Sequence, residues 1–290
     1  MNAAPVTPSR DNAPGRVWLI TGASSGFGRS LAAAALAAGD TVVATARRPE
    51  ALDDLVAAHP DRAVAVQLDV TDTARIADVV ADTVLWYGRI DVVVNNAGMG
   101  LVGAVEETGD RELRDLMDLH FFGPAALVRA VLPHMRRNGS GAVVQMSSMG
   151  GRFTFPGVGG YSATKFALEG LSEALAAEVA PHGIEVLIVE PGSFRTGFAG
   201  GGALRQSAPL DAYAESVGPV RTGLPDSDGK QEGDPDKAAA AILTALAAED
   251  TPLRLPLGND ATDAVLGALE AARTEVLAWE KVSRSTGFDD

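Results

Sequence analysis

The sequence predicts an α/β fold with one domain, in which a doubly wound parallel sheet of seven strands carries helices on both faces. Short runs rich in β-branched residues alternate with longer alanine-rich segments of helical period. The short runs are apolar on both faces, as in strands buried in a parallel sheet. Right-handed crossovers between such strands give a doubly wound fold, whose ligands bind at the carboxyl ends of the strands. A length of 290 residues suits one large domain, although two small ones would also fit.

The predicted strands follow one another with a helical segment between most neighbours. In chain order they are 16–21, 41–45, 63–68, 90–94, 142–146, 185–189 and a weaker 253–257. A final amphipathic helix is predicted at 259–283, with Val265, Leu269, Val276 and Trp279 as inward positions.

Two segments depart from this alternation. Residues 1–15 are rich in Ala, Pro and Asn and lack the apolar core of a signal peptide, which predicts a disordered lead-in. Residues 194–233 are dense in Gly, Pro, Ser and Asp, an unusual length for a loop in a compact domain. They follow the sixth strand on the ligand side. This position favours a mobile lid over the substrate, although a floppy surface insertion fits the same composition.

Charge and composition exclude several classes of function. A net charge of -14 argues against nucleic acid or an anionic membrane as partner, because both would repel the protein. The absence of cysteine excludes disulfides, thiolate metal sites and a cysteine nucleophile, and no metal site is predicted. No run of residues approaches the roughly 18 uninterrupted apolar residues of a spanning helix. We therefore expect a soluble protein of the cytoplasm.

A glycine-rich segment between the first strand and the first helix predicts a phosphate-binding loop. Glycine allows a tight turn and a close approach of the backbone to a pyrophosphate, and the helix that follows points its free N–H groups at the anion. The spacing is Gly-x-x-x-Gly-x-Gly, and a purely structural turn would contain the same glycines. The predicted contacts are Gly22, Ser24, Ser25, Gly26, Phe27 and Gly28.

The end of the second strand predicts NADP rather than NAD. An NAD enzyme usually places a carboxylate there to hold the ribose, whereas the 2′-phosphate of NADP needs a cation. Here Ala46 is followed by Arg47 and Arg48, although two solvated arginines would look the same. Asp69, which precedes Val70 after the third strand, can accept a hydrogen bond from the adenine amino group or cap a helix.

Six motifs then occur in one order: TGASSGFG at 21–28, Asp69-Val70, NNAG at 95–98, Ser148, YSATK at 161–165 and PGSFRT at 191–196. In these motifs the chain resembles the short-chain dehydrogenase/reductase family, in its short single-domain branch with a Rossmann-type fold. The resemblance covers about residues 16–258. Within the family, the chain is similar to the hydroxysteroid- and retinol-dehydrogenase-like group. It implies that Asn96, Ala97 and Gly98 lie at the cofactor ribose, although a purely structural turn in which Asn95 ties neighbouring strands together would look the same. It also implies that Lys165 bonds the nicotinamide ribose, and that Pro191, Gly192 and Thr196 bracket the carboxamide.

The resemblance also implies the catalytic residues. Tyr161 and Lys165 are four residues apart, so they share one face of a helix. We expect the ammonium of Lys165, and the positive nicotinamide ring when the cofactor is oxidised, to lower the pKa of Tyr161. Bringing that pKa down by about three units would correspond to about 4 kcal/mol of differential stabilisation. Tyr161 can then donate a proton to a carbonyl oxygen or accept one from an alcohol. Ser148, at the family's spacing before Tyr161, would bond the substrate oxygen as charge develops.

One position departs from the family pattern. His120 stands where the family has a catalytic asparagine, whose backbone carbonyl is thought to hold a water that leads protons to the lysine. Three hypotheses follow: His120 replaces the asparagine with little loss, it tunes the site for an unusual substrate or a slower reaction, or redox chemistry is impaired. The ring of His120 can itself relay a proton.

The sequence therefore predicts an NADP(H)-dependent oxidoreductase that interconverts a ketone or aldehyde and an alcohol. A cofactor-binding protein without chemistry is the rival, and an extended-branch epimerase is disfavoured by the glycine spacing and the missing second domain. Apolar residues at strand ends suit a bulky hydrophobic substrate, or pack beneath the lid: Met99, Leu101, Phe153, Phe155 and Phe194. The resemblance implies a homodimer through the helices that hold His120 and Tyr161, with a tetramer less favoured.

Overall fold

A seven-stranded parallel sheet forms the centre of the computed structural model, which describes residues 15–200 and 202–288. Its strand order is β3-β2-β1-β4-β6-β7-β9, and every neighbouring pair is parallel. These strands are β1 (Val17–Ile20), β2 (Thr41–Ala46), β3 (Ala63–Gln67), β4 (Val92–Asn95), β6 (Gly141–Met146), β7 (Ile184–Pro191) and β9 (Arg254–Leu257). The predicted fold class is confirmed. The lead-in predicted at 1–15 lies outside the described residues except for Gly15.

A second, two-stranded sheet was not predicted. It pairs β5 (Gly100–Val102) in parallel with β8 (Leu204–Gln206). Both strands are three residues long, which is too short for a recognisable period-2 pattern.

The helices cover both faces of the main sheet. They are α1 (Gly26–Ala37), α2 (Asp53–Ala58), α3 (Thr73–Tyr87), α4 (Asp110–Met117), α5 (Gly123–Asn138), α6 (Gly159–Val179), α7 (Gly218–Asp226), α8 (Pro235–Ala245) and α9 (Asn259–Arg284). The core on one face takes residues from α1 and α8, and the core on the other takes residues from α3, α5 and α6. The alternating arrangement of strands and helices therefore builds one doubly wound domain.

Two buried carboxylates hold the start of β1. Asp91 accepts a hydrogen bond from the backbone N of Val17 at 2.7 Å, and Asp40 accepts one from the indole of Trp18 at 2.7 Å. All four residues of β1 are buried. The loop that follows β1 is consequently anchored to the most enclosed part of the sheet.

The last helix differs from its prediction. Val265 is buried as predicted, but Leu269, Val276 and Trp279 are 48%, 69% and 62% exposed. Helix α9 is long enough to project past the domain, and its buried residues, Ala261 and Val265, lie in its first two turns. The prediction of inward positions is therefore wrong for the other three residues. Amphipathic spacing shows that a helix has an apolar face but does not show where the domain ends.

The segment predicted as a lid, 194–233, contains secondary structure that its composition conceals. It carries β8, a short 3₁₀ turn at Asp211–Tyr213 and helix α7. Its two ends meet in a β-bridge between Phe194 and Gly233. Arg221 on α7 donates to the buried carboxylate of Glu107 at 2.6 Å, which fastens the segment to the domain. Whether the segment moves over the substrate stays a prediction.

One helical stretch, Asp110–Asn138, is long and apolar enough to cross a membrane by length and composition alone. Half of its most apolar window is buried inside the domain. Leu127 and Val131 lie in the core beneath the sheet and have no exposed surface. The stretch therefore packs as a core helix of the domain.

Candidate active site

Most of the predicted site residues lie at one edge of the main sheet. The phosphate loop follows β1, Arg47 follows β2, the NNAG segment closes β4, Ser148 follows β6, and Pro191 closes β7. Because all these strands are parallel, their carboxyl ends face the same side. The sheet order reverses between β1 and β4, which is where ligands bind in doubly wound folds.

The phosphate loop packs so closely against the end of β4 that two of its glycines are required. Gly22 has a φ of +64°, and a Cβ there would lie 2.8 Å from the Cα of Ala97. A Cβ on Gly28 would lie 2.5 Å from the carbonyl oxygen of Gly22 and also meet the amide nitrogen of Asn96. The loop therefore has no room for side chains on its inner side.

Asn96 has a role in this loop that the sequence did not reveal. Its side-chain amide donates to the carbonyl oxygens of Thr21 at 2.9 Å and Gly22 at 3.1 Å. The hydroxyl of Thr21 in turn accepts from the backbone N of Asn96 at 2.9 Å. Asn96 thus fixes the loop in shape, and its neighbour Asn95 ties β4 to β6 through Gln145 at 2.9 Å.

The outer side of the loop is open. Ser24 and Ser25 are exposed at the start of α1, and Ser25 makes no capping hydrogen bond with its side chain. Gly26 lies against Thr196, since a Cβ on Gly26 would be 2.9 Å from the Cβ of Thr196. The phosphate loop and the PGSFRT segment therefore meet across the site. The hydroxyls of Ser24 and Ser25 and the N-terminus of α1 are available there to an anion.

At the end of β2, Arg47 and Arg48 are both exposed, and neither has an ion-pair partner within residues 15–200 and 202–288. Asp69 is exposed and accepts two hydrogen bonds from Thr71, at 3.0 Å and 2.8 Å. Asp72, rather than Asp69, caps α3 by accepting from the backbone N of Arg75 at 3.0 Å. Helix capping is thus wrong for Asp69, and the adenine contact stays a prediction.

Ser148, Tyr161 and Lys165 converge as the spacing predicts. Tyr161 and Lys165 both lie on α6, and the ammonium of Lys165 lies 5.6 Å from the centre of the Tyr161 ring. Lys165 is buried and donates to the carbonyl oxygen of Met146 at 2.8 Å. Ser148 begins a 3₁₀ turn and accepts from the backbone N of Gly150 at 3.0 Å, and it hydrogen-bonds Tyr161.

The pKa of Tyr161 moves in the direction opposite to the prediction. Burial raises it to about 12, and the hydrogen bond with Ser148 offsets only part of that effect. The reason is geometric, because Lys165 lies over the face of the ring and donates to Met146 rather than to the phenol. Burial also lowers the pKa of Lys165 to about 7, against the charge of Glu169, which raises it.

His120 lies beside this group in a π-helical turn, Asp118–Phe122, between α4 and α5. Its ring is buried and meets the Tyr161 ring edge-on at 5.6 Å between centres. Burial and the charge of Lys165 hold the pKa of His120 well below its usual value, so the ring is neutral. Nε2 lies 2.8 Å from the carbonyl oxygen of Met99 and donates to it, which leaves Nδ1 as a buried acceptor without a partner among the described residues.

The residues predicted to line an apolar substrate pocket differ in how far they are exposed. Met99 and Phe153 are half-buried and Phe155 is exposed, whereas Leu101 is buried in β5. Phe194 is only 8% exposed and packs edge-on against Phe27 at 5.0 Å as part of the core. Its predicted place on the substrate wall is at odds with this burial.

The aromatic residue from the lid segment that does reach the site is Phe198. Its ring centre is 5.9 Å from that of Tyr161. The sequence analysis missed it, although its place in the GFAGGG run just after the sixth strand is a signal that could have found it.

Comparison with known proteins agrees with this geometry. The profile of the short chain dehydrogenase family matches residues 16–203. The oxidoreductase BOA17 of Botryotinia fuckeliana (strain B05.10) is 38% identical over 269 residues, which cover 92% of this chain and 98% of that protein.

Two solved structures are similar over most of the chain. A short-chain dehydrogenase from Streptomyces avermitilis is 63% identical with a TM-score of 0.90, over 94% of this chain and 100% of that chain. A short chain dehydrogenase from Burkholderia cenocepacia J2315, solved in complex with NADP, is 28% identical with a TM-score of 0.71, over 91% of this chain and 96% of that chain. The protein described here therefore belongs to the short-chain dehydrogenase/reductase family of oxidoreductases.

Proposed function

We propose that the protein interconverts a ketone or aldehyde and an alcohol with NADP(H), using Tyr161 as the general acid and base. The observation that carries this proposal is the meeting of Ser148, Tyr161 and Lys165 beside the glycine loop at one edge of the sheet. A protein that only binds the cofactor has no need of these three side chains together. The narrower relation to the hydroxysteroid- and retinol-dehydrogenase-like group is part of the proposal.

Each of the three residues has a distinct task in the reductive direction. Ser148 orients the carbonyl oxygen of the substrate, and Tyr161 donates its phenolic proton to that oxygen. With a pKa of about 12, Tyr161 remains protonated at neutral pH and so stays ready to donate. Lys165, whose pKa is about 7, restores the proton of the phenolate. NADPH supplies the hydride when bound, and the positive ring of NADP⁺ favours the phenolate that oxidation of an alcohol needs.

The residues present fit this cofactor. The inner side of the loop is shaped by Gly22 and Gly28, and the outer side presents Ser24, Ser25 and the N-terminus of α1. Asn96, Ala97 and Gly98 would lie along the ribose, and Pro191, Gly192 and Thr196 at the carboxamide. The related Burkholderia cenocepacia protein was solved with NADP, which supports a nicotinamide cofactor here.

Arg47 and Arg48 support NADP over NAD, because these two guanidinium groups have no carboxylate partner in the described part of the chain and follow the strand at whose end the family holds a 2′-phosphate. We expect Arg47→Asp to weaken NADPH binding by about tenfold or more, since a charge-assisted hydrogen bond contributes about 1.5–3 kcal/mol. NADH binding should not weaken. The measurement is the Kd of each cofactor by fluorescence titration. Arg273→Asp, on the exposed part of α9, changes the net charge equally and serves as the control.

The overall reaction is tested by the loss of NADPH absorbance with a panel of bulky hydrophobic ketones, and by its gain with the matching alcohols and NADP⁺. Phe198, whose ring centre is 5.9 Å from that of Tyr161, supports an apolar substrate. Failure to turn over any member of the panel with either cofactor would contradict the proposal and favour a binding protein with impaired chemistry.

A substitution at His120 tests the alternative of a cofactor-binding protein with impaired chemistry. We expect His120→Asn to change kcat by less than about tenfold, because the role of this position in the family lies in its backbone carbonyl and the ring is neutral. A loss of the ring also removes the hydrogen bond to Met99. Steady-state kinetics with the best substrate of the panel provide the measurement. A large gain in turnover would show that His120 restrains the reaction instead of replacing the asparagine.

We further propose a homodimer in the cytoplasm, built through the helices around His120 and Tyr161. Phe122, two residues after His120, and Phe166 on α6 are 51% and 46% exposed, so an interface there would bury apolar surface. The helical stretch Asp110–Asn138, the one in the described residues that is long and apolar enough to cross a membrane, packs inside the domain, which supports a cytoplasmic location.

A further inference from the structure

Helix α9 carries an apolar face that continues past the end of the domain. Its first two turns pack on the domain through Ala261 and Val265, which are buried. Leu269, Val276 and Trp279 lie on the same side of the helix as Val265, because steps of three, four and seven residues separate them. All three are exposed. The face that holds the helix on the domain is therefore continued by a face that no described residue covers.

The exposed part of α9 is long enough to be an interaction surface. From Leu269 to Arg284 every residue is exposed except Glu280, which is partly buried. This stretch spans about 24 Å at the helical rise of about 1.5 Å per residue. A helix of this length is only marginally stable alone in water, and most helices in proteins are stabilised by the packing of an apolar face. A partner on this face would therefore stabilise the helix and bury its apolar side chains.

The spacing of this face is that of a seam between two helices. Its members alternate steps of four and three residues, which is the heptad repeat of a coiled coil. We define them as the α9 seam: Val265, Leu269, Ala272, Val276, Trp279 and Ser283. An aromatic side chain such as Trp279 buries about 150–250 Å². Two copies of it supply a substantial share of the area in a stable interface, which is about 1,200–2,000 Å².

The composition of the chain disfavours two other occupants of the seam. Residues 1–14 contain only Met1 and Val6 as large apolar side chains, which are too few to cover it. An anionic membrane surface would be repelled by the net charge of -14. The exposed part of α9 also lacks the excess of lysine and arginine that is typical of helices on membrane surfaces.

The charges on the exposed part of α9 suit a second copy of this chain. Acidic and basic residues are equal in number there, so two copies of this stretch can approach each other without net repulsion. They are Glu270, Glu275 and Glu280 on one side of the count and Arg273, Lys281 and Arg284 on the other.

The charges beside the seam select an antiparallel pair. In a parallel pair, Glu275 of one copy would face Glu280 of the other, and these like charges repel. In an antiparallel pair, residues on the same flank of the seam face each other. Arg273 of each copy can then face Glu280 of the other, so the favourable pair occurs twice by symmetry. This register packs Val276 of each copy against Trp279 of the other at the centre of the pair.

The antiparallel register also keeps the two acidic domains apart. Val265 of each copy is anchored to its own domain. In this register the two Val265 residues lie about 37 Å apart along the pair, at the rise of about 1.5 Å per residue. The Debye length is about 8 Å at physiological ionic strength, so the repulsion between the domains is largely screened. A parallel pair would place the two domains side by side.

We propose that the α9 seam joins two copies of this chain as an antiparallel pair of helices, with Val276 and Trp279 at its centre. This interface is separate from the one proposed around His120 and Tyr161, and it does not depend on the reaction. With both interfaces the protein is a tetramer, and with the α9 seam alone it is a dimer.

Disulfide cross-linking tests the register, because the chain has no cysteine of its own. In this register Ala272 of one copy packs against Ser283 of the other. Ala272→Cys/Ser283→Cys should therefore form a covalent dimer under mild oxidation. Either single variant should not, since each residue lies about 16 Å along the pair from the same residue of the other copy, whereas a disulfide needs Cα atoms within about 7 Å. The control, Thr274→Cys/Lys281→Cys, follows the same register on the opposite side of the helix and should stay uncrosslinked.

The mass in solution tests the seam itself. Val276→Glu/Trp279→Glu should halve the mass measured by light scattering, because carboxylates would be buried without partners at the centre of the pair. Thr274→Glu, on the opposite side of the helix, should keep the mass of the wild type. These positions lie beyond the part of α9 that packs on the domain, so the domain should keep its cooperative unfolding.

An exchange of charges tests the flanking pair. Arg273→Glu and Glu280→Arg should each weaken association by about tenfold at low salt, since each turns two symmetry-related attractions into repulsions. Arg273→Glu/Glu280→Arg should recover the Kd of the wild type, measured by sedimentation. Ion pairs within the helix, from Arg273 to Glu270 and from Arg284 to Glu280, stay broken in this double variant. A recovery therefore reports only the contact between copies.

The outcomes decide the proposal and its orientation separately. A monomeric wild type, or a mass that Val276→Glu/Trp279→Glu does not change, overturns the pairing of α9. If the wild type is then a dimer, the interface around His120 remains. If it is a monomer whose binding to neutral lipid vesicles is lost in Val276→Glu/Trp279→Glu, the face belongs to a membrane surface instead. Cross-linking of Ala272→Cys alone, or no recovery in the exchanged charges, overturns the antiparallel register.

Discussion

Tyr161→Phe is expected to lower kcat/KM for carbonyl reduction by about 10²- to 10⁴-fold, the range attributed to general acid–base catalysis. The variant lacks the phenolic proton, and no other group in the described site can take over its task. Lys165 points at Met146, and His120 is neutral and donates to Met99. The measurement is the initial rate of NADPH loss at ketone concentrations well below KM, where the rate gives kcat/KM, compared with the wild type.

The same substitution should leave the fold and the cofactor site intact. The ring that remains still meets His120 at 5.6 Å and Phe198 at 5.9 Å. The affinity for NADPH should change little, since the phosphate loop from Gly22 to Gly28 belongs to β1 and α1, whereas Tyr161 lies on α6. Retention of full activity in a variant that binds NADPH normally would remove Tyr161 from the mechanism, and an inactive variant that has lost the cofactor would point to structure instead.

Gly28→Ala is expected to weaken NADPH binding by at least about tenfold and to destabilise the fold by about 1–3 kcal/mol, the usual cost of overpacking. The new Cβ would meet the amide of Asn96 and the carbonyl oxygen of Gly22 at 2.5 Å. Asn96 would have to leave its hydrogen bonds to Thr21 and Gly22, and the loop would lose the shape that receives a pyrophosphate. Calorimetric titration of NADPH and denaturant unfolding measure the two effects.

A matched control exists on another helix. Gly170 on α6 is exposed, and a Cβ there would meet nothing within 4 Å. Gly170→Ala should therefore leave binding unchanged and raise stability by about 0.5–1 kcal/mol, because alanine favours the helix more than glycine does. Equal behaviour of the two variants would show that the close approach at Gly28 does not matter for the cofactor.

The fold and the placement of the site were predictable because both depend on order along the chain. Parallel strands place their carboxyl ends on one side, so a loop after β1 and a serine after β6 must come together whatever the details of packing. A spacing of four residues is similarly sufficient to bring Tyr161 and Lys165 to one face of α6.

Properties that depend on neighbours from distant segments were not predictable. The pKa of Tyr161 is set by burial, and burial is a sum over the whole domain. Phe194 and Phe198 lie four residues apart in the same segment, yet Phe194 enters the core and Phe198 reaches Tyr161. Glu190 is buried on β7, and its cation neighbours, Arg254 and Arg152, come from two other parts of the chain.

The small sheet of β5 and β8 affects how a substrate would enter the site and how a product would leave it. Strand β5 begins one residue after Met99, which holds His120, while β8 belongs to the segment that brings Phe198 to Tyr161. An outward swing of that segment must break the backbone ladder of β8 and pull Arg221 from Glu107, a carboxylate that also accepts from Leu210 at 2.7 Å. The predicted lid movement of this segment would therefore displace Phe198 from Tyr161 at the same time as it breaks the small sheet.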